Sequence, residues 1–152
     1  MAKVTVYTDG GASGNPGPGG WGAVLISGQY CKEMNGGFRL TTNNRMELLA
    51  VIKALEVLKN PGTEVTIYSD SKYVVDAVTK KWVFGWVKKG FKGKKNPDLW
   101  KRFLKIYAVH KVDFVWVKGH AGNELNERAD RLAVSAYEEG DLEVDEVYEA
   151  TN

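Results

Sequence analysis

The chain of 152 residues contains a single cysteine, Cys31, which excludes an intramolecular disulfide and any cysteine-based metal cluster. A reducing cytoplasm is the expected location. No apolar run approaches the length of a membrane span, and Met1-Ala-Lys-Val4 leads straight into a strand with no signal-peptide pattern, so no membrane partner is expected. Histidine is scarce too, with only His110 and His120. Two segments lack one sign of charge. Residues 80–95 carry seven lysines and no acid, and residues 138–152 carry seven acids and no base. The overall charge of +2 therefore hides a body, residues 1–137, with 21 bases against 12 acids, or +9. Such a body suits a polyanionic partner. The length fits one domain, residues 1–137, followed by an acidic C-terminal tail, residues 138–152.

The hexapeptide Val4-Thr-Val-Tyr-Thr-Asp9 recurs as Val65-Thr-Ile-Tyr-Ser-Asp70. Both copies alternate, are rich in β-branched and aromatic residues, and read as strands that end on Asp. If they are parallel neighbours, about 4.8 Å apart, both carboxylates emerge at one sheet edge. Two bare anions there repel, and a hard divalent cation between them removes the repulsion. Around these strands the pattern predicts a glycine-rich loop over 10–20, a hairpin of 21–28 and 31–40, and a helix over 43–59. Further on it predicts short helices at 71–79 and within 81–96, a helix over 97–108, a strand over 112–117 and a last helix capped by Asn126. The expected fold is α/β: a five-stranded mixed sheet, an antiparallel hairpin beside parallel strands, flanked by helices. The tail lacks helical periodicity over most of its length. It reads as a solvated end, as an acidic stretch that screens the basic body and competes weakly with nucleic acid, or as an extended strip anchored by Leu142, Val144, Val147 and Tyr148.

Glu47 falls on the apolar side of its helix, with Ala50, Val51, Ala54 and Leu55 at steps of three and four. A carboxylate there needs a partner or it neutralises. A capping box with Asn44 is one explanation; a metal shared with Asp9 and Asp70 is the other, and it also accounts for the apolar flank. Asp130 sits one turn into the last helix beside Ala133 and Val134. First-turn acids also answer the helix dipole, so its assignment rests on the company of the other three. Oxygen ligands without cysteine indicate Mg²⁺ or Mn²⁺ rather than Zn²⁺. His120, in the loop Lys118-Gly-His-Ala-Gly122, is placed to ferry protons beside such a site. Trp82, Phe84, Trp86 and Phe91 interleave with the lysines of 80–95, a pattern that neutralises phosphates and packs on sugars or bases. Trp82 and Trp86 are four apart, so one of them can belong to the core.

Thr8-Asp9-Gly10, Gly14-Asn15-Pro16-Gly17, Thr42-Asn43-Asn44-Arg45-Met46-Glu47-Leu48, Ser69-Asp70-Ser71 and Gly119-His120-Ala121-Gly122 with Asn126-Glu127-Arg128-Ala129-Asp130 together resemble ribonuclease H of the bacterial type 1 class. The resemblance spans residues 3 to about 137 in order and in spacing. It implies a ribonuclease H-like fold and an endoribonuclease, a monomer, that hydrolyses the RNA strand of RNA–DNA hybrids and leaves 5′-phosphate and 3′-hydroxyl ends. It implies two Mg²⁺ ions, with Mn²⁺ as a substitute, held by Asp9, Glu47, Asp70 and Asp130, and proton transfer or product release assisted by His120. Asn15, Asn43 and Asn44 match positions that contact the minor groove. Thr42 and Asn96 match a pocket for a DNA phosphate. Trp82, Trp86, Lys88 and Lys89 match a basic protrusion that grips the DNA strand.

The chain departs from the family pattern in three places. Leu40 stands where relatives often place an arginine in the phosphate pocket, and Arg39 beside it should face the other way. The protrusion is a few residues shorter between Phe91 and Asp98, and the acidic tail lies outside the shared motif. Two alternatives remain on the same fold. A catalytically silent hybrid-binding module would keep the lysines and lose a carboxylate. An integrase-like nuclease would have no use for the asparagines at 15, 43 and 44.

Overall fold

The structure, a computed structural model, describes residues 3–118 and 123–151. Its elements are β1 (Lys3–Ala12), β2 (Gly17–Ser27), β3 (Tyr30–Thr41), α1 (Asn43–Glu56), β4 (Glu64–Ser69), α2 (Lys72–Thr79), α3 (Trp82–Lys88), α4 (Pro97–Tyr107), β5 (Lys111–Trp116), α5 (Glu124–Glu138), β6 (Leu142–Glu143) and α6 (Glu146–Thr151). The sheet order is β5-β4-β1-β2-β3-β6. β1, β4 and β5 run parallel, and β1, β2 and β3 form the antiparallel part. No described helix is long and apolar enough to cross a membrane.

The sheet has six strands where the sequence predicts five. The sixth comes from the tail: Leu142 and Glu143 pair in parallel with Gly37 and Phe38 of β3. The tail then turns into α6 rather than continuing as an extended strip. Two further expectations need correction. Residues 10–20 are not simply a loop, since β1 continues to Ala12 and β2 begins at Gly17. The glycines serve close packing instead. A Cβ on Gly20 or Gly22 would overlap the α5 backbone at Ala133 and Ala129, so their absence lets α5 settle onto β2. The last helix starts three residues earlier than expected, with Asn123 as its cap; the Asn123 side chain accepts the Asn126 amide at 3.0 Å.

α1 lies on the other side of β1 and β2, where Val4, Val6, Ala23 and Leu25 are buried. It is enclosed by the sheet and α4, so most of its residues are buried and Ile52 and Leu55 are fully so. Cutting either back to alanine costs about 2–5 kcal/mol. Trp100 of α4 is fully buried and gathers Tyr73, Trp86 and Phe103 at ring distances of 5.6–5.8 Å. That cluster, with buried Val83 and Phe91, fixes the root of the lysine-rich protrusion.

Candidate active site and nucleic-acid surface

Parallel register brings the two repeated strands together. Thr8 pairs with Ser69 in the last rung of the β1–β4 ladder, so the next residue on each, Asp9 and Asp70, lies where the two strands part: Asp9 inside β1, which runs on beside β2, and Asp70 just past β4. Gly10 then permits the approach that completes the site. A Cβ there would overlap the backbone of Met46 and Glu47, so only glycine lets α1 come close enough to deliver Glu47. Thr42 caps α1 by accepting the Arg45 amide at 3.3 Å. The cap is therefore Thr42, and Glu47 is left to face the two aspartates rather than closing a box with Asn44.

Ligand oxygens of Asp9, Glu47 and Asp70 all lie within 4.8 Å of one another. Burial, and then the charge of Asp70, push the Asp9 carboxyl up to about 8; Asp130 of α5 adds to the rise but is not among the three whose oxygens converge. Burial raises the Glu47 carboxyl well above the ordinary range, and Asp9 and Asp70 add to the effect. Among the described residues, one oxygen each of Glu47 and Asp70 is buried with no partner, and the one hydrogen bond to the Asp9 carboxylate comes from the Gly10 amide at 2.8 Å. Orphaned buried acceptors crowded with like charge are what a hard divalent cation satisfies, and the all-oxygen donor set fits one. His120 lies outside the described residues. His110 is buried away from this edge, at the start of β5.

Two of the expected substrate residues interlock at the N-terminus of α1. Asn43 Oδ1 accepts the Ala12 amide at 2.6 Å, and Asn15 Oδ1 accepts the Asn43 amide at 2.9 Å. Both side-chain carbonyls are thereby committed to backbone, and the NH₂ groups are left as donors. Asn44 is exposed beside them. A cavity of about 550 Å³ adjoins this point and is lined by Asn15, Thr42, Asn44 and Asn96 among others. The Asn96 side chain donates to the Tyr73 hydroxyl at 3.1 Å and accepts from Arg45 at 3.2 Å.

The protrusion forms a separate surface. Trp82 is 48% exposed, whereas Trp86 is half-buried against Trp100, so Trp86 is the one that shares the core. Lys80 lies 5.2 Å over the Trp82 ring and Lys94 5.2 Å over the Trp86 ring. Trp82, Trp86 and Lys89 line one groove with Lys81, Lys92 and Lys94; Lys88 ends α3 outside that lining.

Two side chains near these sites are not singled out by any sequence pattern above. Arg45 is 4% exposed and pairs with Asp98 at 2.7 Å and with Asp145 of the tail at 2.8 Å. A charge amid the buried residues of α1 was the available signal, the one that singled out Glu47. Trp116, at the end of β5, donates its indole N–H to the Asp70 carbonyl at 3.3 Å, and Lys72 lies 4.8 Å over its ring. An aromatic on the exposed phase of an edge strand was the only hint.

A mixed sheet with crossover helices, and three carboxylates brought together from β1, α1 and the end of β4, define an α/β protein whose donor set suits a divalent cation. The chain belongs to the ribonuclease H family: the RNase H family pattern matches residues 1–138. Ribonuclease H of Rippkaea orientalis is 55% identical over 152 residues, covering 97% of this chain and 93% of that protein. Ribonuclease H of Novosphingobium aromaticivorans is 54% identical over 141 residues, covering 90% and 97%. Among solved structures, LC9-RNase H1, described as a type 1 RNase H with the type 2 active-site motif, superposes with a TM-score of 0.82 at 32% identity, over 100% of this chain and 82% of that one. LC11-RNase H1 in complex with RNA/DNA hybrid matches with a TM-score of 0.63 at 30% identity, over 88% and 96%.

Proposed function

We propose that this chain is an endoribonuclease that hydrolyses the RNA strand of RNA–DNA hybrids, acting as a cytoplasmic monomer and leaving 5′-phosphate and 3′-hydroxyl ends. The observation that carries the reading is the convergence of Asp9, Glu47 and Asp70 from three elements, with unpartnered buried oxygens, in a chain of this family. The hybrid bound to LC11-RNase H1 supports the substrate class.

In this reading Asp9, Glu47, Asp70 and Asp130 hold two Mg²⁺ ions, for which Mn²⁺ can substitute. Bound there, the cations supply activation of the attacking water and stabilisation of charge on the leaving 3′ oxygen. His120 moves a proton at the edge of the site. Asn15 and Asn43 point NH₂ donors at acceptors in the minor groove, where RNA alone displays 2′-oxygens; Asn44 extends the row. Thr42 and Asn96 receive a DNA phosphate. Trp82, Trp86, Lys88 and Lys89 hold the DNA strand by ring packing and charge. Backbone contacts carry no base identity, so sequence preference is slight.

Incubation with end-labelled hybrid, double-stranded DNA and double-stranded RNA in Mg²⁺ tests the reading. Cleavage confined to the RNA strand of the hybrid is expected. Binding without cleavage favours the silent module, and cutting of double-stranded DNA favours the integrase-like alternative.

A further inference from the structure

The cavity beside the α1 N-terminus offers polar groups from Thr42, Asn44 and Asn96, but its charge is set by Arg45, Asp98 and Lys95. Arg45 has nothing left to give. Its Nε donates to Asp145, Nη1 to Asn96 and Asp98, and Nη2 to Asp98 and Asp145, all at 2.7–3.2 Å. All five guanidinium N–H donors are thus committed. Arg45, Asp98 and Asp145 also sum to one negative charge, so this group by itself repels an anion. Arg39 is no substitute: it is taken up by Glu149 through Nε and Nη2 at 2.8–3.2 Å. Leu40 is exposed and is not part of the cavity wall. Lys95 remains. It is exposed, lines the cavity, and makes no ion pair or hydrogen bond among the described residues.

We propose that Lys95 is the specificity-determining cation of this cavity, receiving a DNA-strand phosphate beside Thr42 and Asn96 and supplying the charge that Leu40 cannot. The inference rests on the reading of the cavity as a DNA-phosphate site. Without Lys95 the phosphate would meet the net negative charge of the Arg45 group. An ammonium on a flexible stem acts as a point charge where an arginine would offer a planar fork. Recognition here therefore depends more on charge than on phosphate orientation, and should respond strongly to salt.

The test uses the full chain carrying Asp70→Asn to prevent cleavage, and hybrids in which single DNA-strand phosphates are replaced in turn by neutral methylphosphonates. One linkage is expected to weaken binding about three- to tenfold when neutralised. Adding Lys95→Gln should weaken binding of the unmodified hybrid by a similar factor, remove the penalty of that linkage, and flatten the log–log salt slope by about 0.9. The melting temperature should not move, because Lys95 has no ion pair or hydrogen bond to lose among the described residues. A penalty that persists in Lys95→Gln but vanishes in Thr42→Ala overturns the role of Lys95 and leaves the cavity assignment standing. If no DNA-strand linkage is sensitive in the parent chain, the cavity is not a DNA-phosphate site and both readings fail together.

Discussion

Asp9 and Glu47 tie the stability of the cation-free chain to pH. An unfolded Asp titrates near its ordinary 3.8, whereas burial and Asp70 push folded Asp9 up to about 8. Between those values the folded chain keeps a proton that the unfolded chain has released, so stability falls as pH rises. Glu47 is raised as well and acts in the same direction. Asp98, where Arg45 outweighs the opposing effect of burial, has the opposite sign: it is lowered, and its contribution is lost only as pH drops below the ordinary carboxylate range. In chelator, the melting temperature is therefore expected to fall from about pH 5 to about pH 8. Added Mg²⁺ should raise it most at the upper end, because the cation binds deprotonated carboxylates. Calorimetric melts across that range check this; a melting temperature that rose with pH and ignored Mg²⁺ would contradict it. His120→Ala should slow turnover by about 10²–10⁴-fold without abolishing it, since solvent can partly replace a proton shuttle. Steady-state rates decide, and total inactivity in a folded variant would make His120 a metal ligand instead.

The elements differ in how far the sequence exposes them, and the difference follows the range of the forces involved. The echo between β1 and β4 was legible because identical alternation in parallel, in-register strands puts identical ends at one edge. α1 was legible through its apolar spacing, and Glu47 through its breach of it. The extension of β1 and the start of β2 were not, because glycine reads as a breaker, and its use as a bed for α5 depends on a helix more than a hundred residues away. Nor was the tail. Its anchors pair Thr41 and Arg45 with Asp145, and Arg39 with Glu149, across about a hundred residues. No periodicity announces such pairings. We propose that residues 138–152 act as a strap on the body of residues 1–137. Asp145 is 7% exposed and accepts from Thr41 at 2.7 Å as well as from Arg45. Deleting residues 140–152 strips a buried guanidinium of one carboxylate and should destabilise the fold by about 2–4 kcal/mol. Denaturant melts measure this. An unchanged midpoint would return the tail to a solvated end whose charge merely screens the body.

Over the whole molecule, charge and chemistry are laid out on separate surfaces. The carboxylates gather where β1 and β4 part, beneath α1; the asparagines lie at the α1 N-terminus, and the lysine–tryptophan groove on α3 and the turn after it. A hybrid that spans them is held mainly by its phosphates, so binding should be salt-dependent and indifferent to base sequence. Neutralising Lys88 and Lys89 together should flatten the log–log salt dependence by about 0.9 for each phosphate left without its lysine. An unchanged slope would place the protrusion away from the substrate. The central claim is that the convergent carboxylates are the hydrolytic centre. Single-turnover cleavage of a labelled hybrid by the parent chain and by Asp70→Asn, with binding followed in the same samples, tests it most directly. The amide keeps the shape of the side chain and loses the charge a hard cation needs. Loss of several kcal/mol of transition-state stabilisation corresponds to a drop of about 10³-fold or more in rate, with binding retained. Cleavage by Asp70→Asn at a rate near that of the parent chain would contradict the claim.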